Sequence, residues 1–395
     1  MIYDYLVVGG GISGASVAYE LAATGSVVVV EAETAAGYHS TGRSAALFTR
    51  NYGSKTVRAI NATSEAFFES PPEGFCETAL LGDRGFLAVA SPGREAQLDE
   101  LLNLSTDAAP VHLLTAQQAI DKSPLLKPEL VAAGAYEPGV TDIDVASLHQ
   151  GYLRAFKRRG GHIHLGHRMD GMRHTKHGWT VTAKNQTLTA RTVINAAGAW
   201  ADEVGQMAGA GFIGLVPKRR TGIIVDVPTD MDLSRMPATE FIGAEAYVKP
   251  EAGKLMASPG DETPVAPQDV RPDEMDVAVL VDWLQRNTTL NINRITHSWA
   301  GLRCFVADGD PVVGFDPHVP DFFWLAGQGG YGIMMAPTLA RASAELITNN
   351  TLPDDLLQSG VSPEDMSPVR CLSQPISDQI GGTKNSLASE LSQIP

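Results

Sequence analysis

Cysteine is scarce in this chain, and its three cysteines lie far apart. Cys76, Cys304 and Cys371 are odd in number and form none of the short spacings that ligate a metal ion. The pattern also argues against a disulfide framework, because such frameworks pair an even set of cysteines in a short secreted chain. We therefore expect a reducing compartment such as the cytoplasm.

Positive charge and long apolar runs are also in short supply. The chain has 30 lysine and arginine residues against 45 aspartate and glutamate residues, a formal net charge of −15. Nucleic-acid binding needs clustered cations, so we expect no nucleic-acid partner. No apolar run approaches the roughly 20 residues of a membrane-spanning helix, and no basic segment typical of a signal peptide precedes the first apolar stretch. These absences predict a cytoplasmic protein without a transmembrane segment, with peripheral contact to a membrane left open.

The clearest local pattern occupies the first 31 residues. Residues 4–8 form a continuous apolar stretch of strand type, and a glycine-rich turn follows. We predict a helix from about Ser13 to Thr24, capped by Gly25, and a second strand over residues 27–30. This order of strand, turn, helix and strand is typical of a dinucleotide-binding unit.

Each glycine of the turn has a physical role. Gly9 permits the tight turn, Gly11 lets a pyrophosphate approach the backbone, and Gly14 lets the helix pack against the strand. Glu31 closes the second strand and lies 17 residues after Gly14, near the roughly 20-residue spacing of an acid that binds ribose hydroxyls. Because an acid there repels a 2′-phosphate, the unit predicts FAD or NAD rather than NADP.

Three later segments strengthen this interpretation. Residues 35–46 are small, polar and glycine-punctuated, and the second strand should deliver them to the dinucleotide crevice. Residues 192–200 join a β-branched strand to small residues and then to a helix from Ala201. Residues 327–332 form a second glycine-rich turn, before a helix from about Met335. Small residues permit close passage of a large flat ligand, so the three segments together indicate FAD.

Periodicity elsewhere predicts further helices and strands. The helices are 55–70, 94–102, 115–122, 145–159 and 272–285, the last with Pro272 in its first turn; the strands are 86–90, 162–165, 222–227 and 245–248, with a hairpin of 178–182 and 186–190. Arg219 and Arg220 sit just before the strand 222–227, as a solvated pair or as ligand-binding cations. His162, His164 and His167 alternate as in a zinc site, but no cysteine or carboxylate completes the set. We therefore predict exposed strand histidines and no metal.

Four segments together resemble the superfamily of FAD-dependent D-amino-acid oxidases. They are 9–31, 40–44 (STGRS), 195–200 (NAAGAW) and 327–332 (GQGGYG). The strings 37–46 and 299–303 are similar to bacterial D-arginine dehydrogenases in particular. The likeness extends from about residue 2 to residue 370.

The resemblance implies an α/β fold with two domains. A Rossmann-like FAD-binding domain would consist of residues 1–75, 141–215 and 304–371, and a smaller α+β substrate domain with an antiparallel sheet would consist of 76–140 and 216–303. Residues 372–395 are rich in serine and glutamine, and we predict a disordered tail there.

The resemblance also implies which residues bind FAD, without a covalent bond. They are Gly9, Gly11, Ile12, Ser13, Gly14, Glu31, Ala32, Ser40, Thr41, Arg43, Ser44, Ala45, Ala46, Met169, Ala196, Gly198, Trp200, Arg303, Gly329, Gly330, Tyr331, Gly332 and Ile333. Met169 would hold the adenine through its backbone.

By the same resemblance, Tyr52, Arg220, Tyr247, Arg303 and Gly330 surround the substrate. Arg303 would hold a carboxylate in a bidentate pair with help from Tyr247 and Arg220, and the backbone near Gly330 would face the amino group.

Two departures from the family pattern bear on the substrate. Members selective for cationic side chains carry an acid where this chain has Gly85 or Phe86, although Asp83 is near, and a histidine of the active-site loop is replaced by Leu47. A buried guanidinium or ammonium is costly without an acid beside it. The sequence therefore predicts an apolar pocket and a substrate with a neutral or apolar side chain.

These expectations converge on a flavoenzyme that oxidises a D-amino acid to the imino acid and then the 2-oxo acid, by hydride transfer to flavin N5. A 2-hydroxy acid or an N-methyl amino acid such as sarcosine fits the same carboxylate clamp. A third alternative, of a different class, is a non-catalytic protein with structural FAD. The electron acceptor stays open among oxygen, a quinone and a carrier.

Overall fold

A computed structural model describes residues 2–229, 231–244 and 246–372. The tail predicted from residue 372 onward therefore falls almost entirely outside the described residues. The architecture is mixed α/β, as the sequence predicts.

Short alternations of strands and helices in the first half of the chain give way to longer runs of strands in the second half. The strands are β1 (Ile2–Val8), β2 (Val27–Val30), β3 (Leu47–Phe48), β4 (Leu81–Asp83), β5 (Phe86–Ala90), β6 (His112–Thr115), β7 (Ala133–Glu137), β8 (Thr141–Ile143), β9 (His162–His164), β10 (Met169–Thr175), β11 (Gly178–Ala183), β12 (Gln186–Asn195), β13 (Val216–Val225), β14 (Ala238–Phe241), β15 (Tyr247–Glu251), β16 (Lys254–Ser258), β17 (Thr263–Pro264), β18 (Ile295–Phe305), β19 (Val312–Phe315) and β20 (Phe322–Ala326). The helices are α1 (Ile12–Leu21), α2 (Lys55–Glu69), α3 (Asp99–Leu102), α4 (Ala116–Lys122), α5 (Val145–Arg158), α6 (Ala201–Ala208), α7 (Glu274–Asn287), α8 (Gly332–Asn349), α9 (Asp354–Gln358), α10 (Pro363–Met366) and α11 (Val369–Leu372).

The first sheet is built around the N-terminal unit. Its order is β10-β11-β12-β1-β2-β9, with β20 beside β12 and β19 beside β20. Strands β1, β2, β9, β12 and β20 pair in parallel, which brings the carboxyl ends of β1, β2, β12 and β20 to one edge. Helices α1, α2, α5 and α8 cover one face with a shared apolar core. Ligands of open α/β sheets bind at this carboxyl edge, so the four glycine-rich segments meet where a dinucleotide is expected.

The sequence predicts a hairpin strand over residues 186–190 and a separate strand before Asn195, but both belong to one long strand, β12. Strand β12 pairs antiparallel with β11 through residues 186–190 and parallel with β1 through residues 189–195. The chain therefore leaves the hairpin and enters the middle of the sheet without a break.

The second sheet lies over that edge. Its order is β17-β13-β16-β15-β14-β5-β7-β6, with β18 beside β13, and its pairs are antiparallel except for β14 with β5. Helices α4 and α7 and their apolar residues cover its outer face. Strands β3, β8 and β4 form a small third sheet. The strands of the second sheet come from the stretches proposed as the substrate domain, and the domain boundaries themselves stay a prediction.

Several local predictions need correction. Gly25 is not a helix cap, because α1 ends in a right-handed cap at Ala22; a Cβ on Gly25 would lie 2.9 Å from atoms of Asp4 and Tyr5. Pro272 precedes the N-cap residue Asp273, so it stands outside α7. Helix α8 begins at Gly332, three residues earlier than expected, directly after the glycine-rich turn.

Arg219 and Arg220 lie inside β13 instead of before it. Neither is solvated: their side chains are 13% and 15% exposed. Because neighbouring residues of a strand point to opposite faces, the two arginines have different surroundings.

Candidate functional site

A cavity of about 1060 Å³ lies between the first and second sheets. Drug-sized ligands occupy pockets of roughly 300–1,000 Å³, so there is room for a dinucleotide with a small second ligand. Of the residues predicted to bind cofactor or substrate, all but Gly14 line this cavity: Gly9, Gly11, Ile12, Ser13, Glu31, Ala32, Ser40, Thr41, Arg43, Ser44, Ala45, Ala46, Tyr52, Met169, Ala196, Gly198, Trp200, Arg220, Tyr247, Arg303, Gly329, Gly330, Tyr331, Gly332 and Ile333.

The N-terminal turn needs its glycines for close backbone packing. Gly9 has a φ of +101°, and a Cβ on it would lie 2.4 Å from the carbonyl oxygen of Ala196. A Cβ on Gly14 would lie 1.9 Å from the carbonyl oxygen of Gly9, so Gly14 supports the turn from behind. At Gly11 the nearest atom to an added Cβ is Thr41 Oγ1, at 3.3 Å. This side of the turn is therefore open to a ligand.

The start of α1 presents unused amide groups. The backbone N–H groups of Gly11, Ser13 and Gly14 donate to no acceptor in the described part of the chain, and the N-cap residue Gly11 has no side chain to cap the helix. The amide of Ile12 donates to Thr41 Oγ1 at 3.0 Å. Unused N–H groups and the positive end of the helix dipole favour an anion such as a pyrophosphate.

Glu31 is 9% exposed and is fixed by two backbone amides. Gly10 N–H donates to its Oε2 at 2.6 Å, and Glu33 N–H donates to its Oε1 at 2.8 Å. The carboxylate is thus held at the cavity wall, where its remaining lone pairs suit ribose hydroxyls.

His149 supports the same turn, although no local sequence pattern distinguishes this histidine from the others. Its Nε2 lies 2.9 Å from the carbonyl oxygen of Gly10, so Nε2 donates. Burial lowers the pKa of His149 and favours the neutral ring. A Cβ on Gly37 would lie 2.8 Å from this ring, which explains the glycine there.

The segment 40–46 crosses between the sheets, and its polar side chains tether it. Ser40 Oγ donates to the carbonyl oxygen of Leu302 at 2.7 Å, and Arg43 Nη1 donates to that of Ala300 at 3.1 Å. Trp299 Nε1 donates back to the Arg43 carbonyl oxygen at 2.9 Å. The groups of this segment that remain to contact a cofactor are therefore mainly its backbone and the side chains of Ser44, Ala45 and Ala46.

A second part of the cavity carries flat side chains. Trp200 lies 4.6 Å from the His39 ring, centroid to centroid. His39 Nδ1 is buried and has no hydrogen-bond partner in the described part of the protein. Met169 opens β10 and is 8% exposed. These groups offer stacking surfaces and an unused polar atom to a ring-bearing ligand.

The second glycine-rich turn lies against the end of β18. Gly329 N–H donates to the Cys304 carbonyl oxygen at 2.8 Å, and a Cβ on Gly329 would lie 2.3 Å from the Phe305 ring. Gln328 Oε1 accepts from Ser13 Oγ at 3.1 Å, which joins the two turns. Gln328 Nε2 is buried and unpaired among the described residues. Together with the open cradle at Gly11, this orphaned donor fits a long ligand that touches both turns.

Arg303 is surrounded by hydroxyl groups. Burial acts to lower the pKa of Arg303, but the electrostatic effects of Tyr247, Tyr52, Glu262 and Tyr331 outweigh it and raise that pKa. The rings of Tyr52 and Tyr331 contact each other edge to face at 5.0 Å. Burial raises the pKa of Tyr331 to about 12, so its hydroxyl keeps its proton at neutral pH and can donate it to a ligand.

Cations outnumber acids around Arg303. Glu262 accepts from Lys218 Nζ at 2.7 Å and from Arg220 Nη2 at 3.0 Å. Burial acts to raise the pKa of Glu262, but Lys218, Arg220 and Arg303 outweigh it and hold that pKa low. Three cations thus share one carboxylate, which leaves positive charge for an anionic ligand.

Arg219 faces the opposite way. Its guanidinium pairs with Asp261 at 3.2 Å and Asp276 at 2.6 Å, and it does not line the cavity. Of the two arginines, only Arg220 therefore belongs to the candidate site.

The pocket that was expected to be apolar, from Gly85, Phe86 and Leu47, contains two acids in its wall. Glu137 lies directly opposite Phe86 across β5 and β7, and Glu240 lies opposite Tyr247 across β14 and β15. Both line the cavity. Glu137 and Glu240 could not be recognised from the sequence, because strand pairing brings them to the cavity from positions distant in the chain.

No group of three or more potential metal ligands occurs within residues 2–229, 231–244 and 246–372. In the same ranges, none of the helices combines the length and the apolar character needed to span a bilayer.

The sequence of this chain is similar to those of known proteins. The family model described as FAD dependent oxidoreductase (DAO) matches residues 4–346. The glycine oxidase of Geobacillus kaustophilus is 24% identical over 369 residues, covering 90% of this chain and 95% of that protein. Mitochondrial dimethylglycine dehydrogenase of Mus musculus is 24% identical over 388 residues, but this chain spans only 43% of its length.

Solved structures share the fold. The L-proline dehydrogenase from P. horikoshii superposes with a TM-score of 0.79 at 22% identity, covering 93% of this chain and 97% of that one. The glycine oxidase from Geobacillus kaustophilus gives a TM-score of 0.75 at 23% identity, covering 87% and 94%.

Proposed function

Since the chain belongs to the family of FAD-dependent oxidoreductases and so uses FAD, we propose that it oxidises the carbon–nitrogen bond of an amino acid held by its carboxylate, with the D enantiomer preferred. The observation that carries this proposal is the surplus of positive charge at Arg303, in a cavity that also contains the dinucleotide cradle.

The cavity residues fit FAD at both turns. In this proposal the free amides of Gly11 and Ser13, which line the cavity, bind the pyrophosphate, Glu31 binds ribose hydroxyls, and Gln328 Nε2 donates to the cofactor between the turns. When bound, FAD supplies the two-electron acceptor for the Cα–H bond of the substrate.

Arg303 binds and orients the substrate. Its guanidinium offers a planar fork that matches a carboxylate in two parallel hydrogen bonds. A Cβ on Gly330 would lie 3.1 Å from Arg303 Nη1, so the glycine leaves the substrate room beside the fork. The hydroxyls of Tyr52 and Tyr247 complete the ring of donors around the carboxylate.

Arg220 assists from the neighbouring strand. Its Nε donates to the Asp261 carbonyl oxygen at 2.9 Å and its Nη2 to Glu262, so it is held in place before a ligand arrives. A preorganised cation loses little entropy on binding, and this favours a fixed substrate orientation. Among the described residues near Arg303, no side chain has the properties of a strong base, so we assign none.

Catalysis explains this arrangement better than a structural role for FAD. A purely structural cofactor needs the cradle but not three cations and three tyrosines at the other turn. An N-methylated amino acid such as sarcosine is the second candidate. The likeness to a dimethylglycine dehydrogenase and a glycine oxidase favours it, since both act on small molecules with a carboxylate next to the amine carbon.

The test is an anaerobic panel of D- and L-amino acids, glycine, sarcosine and 2-hydroxy acids, mixed with the flavin-loaded protein. We expect D-amino acids to remove the visible flavin absorbance and yield ammonia with the 2-oxo acid. Reduction by sarcosine alone selects the second candidate. A flavin that no member of the panel reduces would overturn the proposal.

A further inference from the structure

One buried carboxylate of the cavity has no part in the proposed carboxylate clamp. Glu137 is the last residue of β7 and is 6% exposed. Together with Phe86, its partner across the β5–β7 pair, it lines the cavity from the second sheet. Acidic residues are rarely this buried unless they are paired, because removing a charge from water is costly.

Glu137 has two polar neighbours but no cation. Asn51 Nδ2 donates to its Oε2 at 2.7 Å, and Thr49 Oγ1 approaches the same oxygen at 3.4 Å. Among the described residues no donor reaches Oε1, and no lysine or arginine contributes to the electrostatics of this carboxyl. Burial raises the pKa of Glu137 as a result. A ligand with a positive charge would supply the missing partner.

The two neighbours of Glu137 belong to the substrate loop. Thr49 and Asn51 come just before Tyr52, one of the residues around Arg303. Asn51 Nδ2 also donates to the Ala109 carbonyl oxygen at 3.3 Å, from a different segment. The carboxyl is therefore fixed at the cavity wall by elements that also shape the substrate site.

The separation from the clamp limits what can reach both groups. The backbones of Tyr247 on β15 and Glu137 on β7 are three strand spacings apart, about 14 Å across the sheet at about 4.8 Å per spacing, and the register places Glu137 two residues further along its strand. Phe86, Ala88 and Ile242 line the intervening wall with apolar side chains, and Glu240 lies on the same wall next to Tyr247. A ligand that spans this wall needs a carboxylate at one end, an apolar chain and a hydrogen-bond donor at the other end.

We propose that Glu137 binds the positively charged nitrogen at the end of a long substrate side chain, so that this enzyme prefers basic amino acids over neutral ones of equal length. The inference rests on the proposed function and replaces the neutral side chain expected from the sequence. The ammonium or guanidinium donates to Oε1, while Asn51 and Thr49 keep Oε2.

The test compares substrates that differ only in this charge. Arginine is compared with citrulline and lysine with norleucine, by kcat/KM for anaerobic flavin reduction, in the unaltered protein and in Glu137→Gln. Glutamine keeps an acceptor for Asn51 but loses the charge. Glu129→Gln, an exposed acid shortly before β7, is the matched control. Binding of ε-aminocaproate and caproate, neither of which has an α-amine to oxidise, is followed by the shift of the flavin spectrum.

We expect the basic substrates to be favoured and Glu137→Gln to lower their kcat/KM by about 10- to 100-fold, the loss typical of one hydrogen bond to a charged group. The values for citrulline and norleucine, and all values in Glu129→Gln, should stay within about twofold. A structural role for Glu137 would instead lower every substrate alike, and that result overturns the inference.

Failure of the proposed function is a separate outcome. If no amino acid reduces the flavin, the two non-oxidisable acids still report on Glu137. Tighter binding of ε-aminocaproate than caproate, lost in Glu137→Gln, supports the inference by itself. Equal binding of the two acids overturns it.

Discussion

Replacing Arg303 by lysine separates charge from geometry at the proposed carboxylate clamp. Lysine keeps the positive charge but offers a single ammonium in place of a planar fork, so the substrate carboxylate loses one of two parallel hydrogen bonds. The substitution does not change the net charge of the cluster formed with Glu262, Lys218 and Arg220, so it leaves no buried acid without a cation.

The expected magnitude follows from that lost hydrogen bond. A hydrogen bond to a charged group contributes about 1.5–3 kcal/mol, and each 1.4 kcal/mol is about a tenfold change in affinity. The KM of the preferred amino acid should therefore rise by about 10- to 150-fold. Most of the flavin content should be retained, because the groups that form the dinucleotide cradle lie at the start of α1 and lysine keeps the positive charge of Arg303.

The assay is steady-state kinetics with an artificial electron acceptor, alongside anaerobic titration of the flavin. Arg219→Lys is the matched control, since Arg219 precedes Arg220 on the same strand and pairs with Asp261 and Asp276 outside the cavity. We expect that control to lower the melting temperature slightly and to leave KM within about twofold. A KM unchanged in Arg303→Lys, with full flavin content, would remove Arg303 from the substrate site.

Three further predictions follow from the geometry. Gly14→Ala should yield protein with little flavin and a lower melting temperature, because its Cβ would lie 1.9 Å from a backbone oxygen. Gly11→Ala should fold normally and lose only FAD affinity. Flavin absorbance and thermal unfolding of the two variants check this, and normal flavin content in both would contradict it. Burial raises the pKa of Glu137 above its ordinary 4.5, so its ionisation disfavours the folded state as pH rises above that value. Glu137→Gln should accordingly raise the melting temperature of the ligand-free enzyme more at about pH 8 than at about pH 5, and an equal change at both would refute the assignment. The D enantiomer of a reducing amino acid should act faster than the L enantiomer in stopped-flow flavin reduction, and the reverse order would reject the stereochemical part of the proposed function.

Local patterns predicted the cofactor end of the molecule well, because its chemistry depends on residues adjacent in the chain. The turn at Gly9 needs a positive φ, and the helix start follows within a few residues, so both leave a signal in one short segment. Capping residues did the same for two other helices, at Thr115 and Asp144. The cap predicted at Gly25 is wrong because a glycine required for close packing against Asp4 and Tyr5 cannot be distinguished, in sequence, from one required at a helix end.

The substrate end left weaker signals. Arg219 and Arg220 are indistinguishable in a linear sequence, and only the alternation of β13 assigns one to the cavity and the other to Asp261 and Asp276. His149 was missed for a similar reason, since its partner Gly10 is 139 residues away in the chain.

Glu137 shows why inference from a single sequence position can fail where a sheet forms the wall of a cavity. The sequence lacks an acid at Gly85 and Phe86, and that absence predicted an apolar pocket. Cross-strand neighbours in an antiparallel pair have Cβ atoms only about 4.5–5.5 Å apart, so a carboxylate opposite Phe86 occupies nearly the same part of the wall as one at Phe86 itself. Residues from different parts of the sequence can thus place a side chain at the same point of the cavity wall, and the charge of the pocket depends on the register of β5 with β7. The comparison of arginine with citrulline tests that register argument directly, because the two substrates differ in charge at the one end that Glu137 would contact.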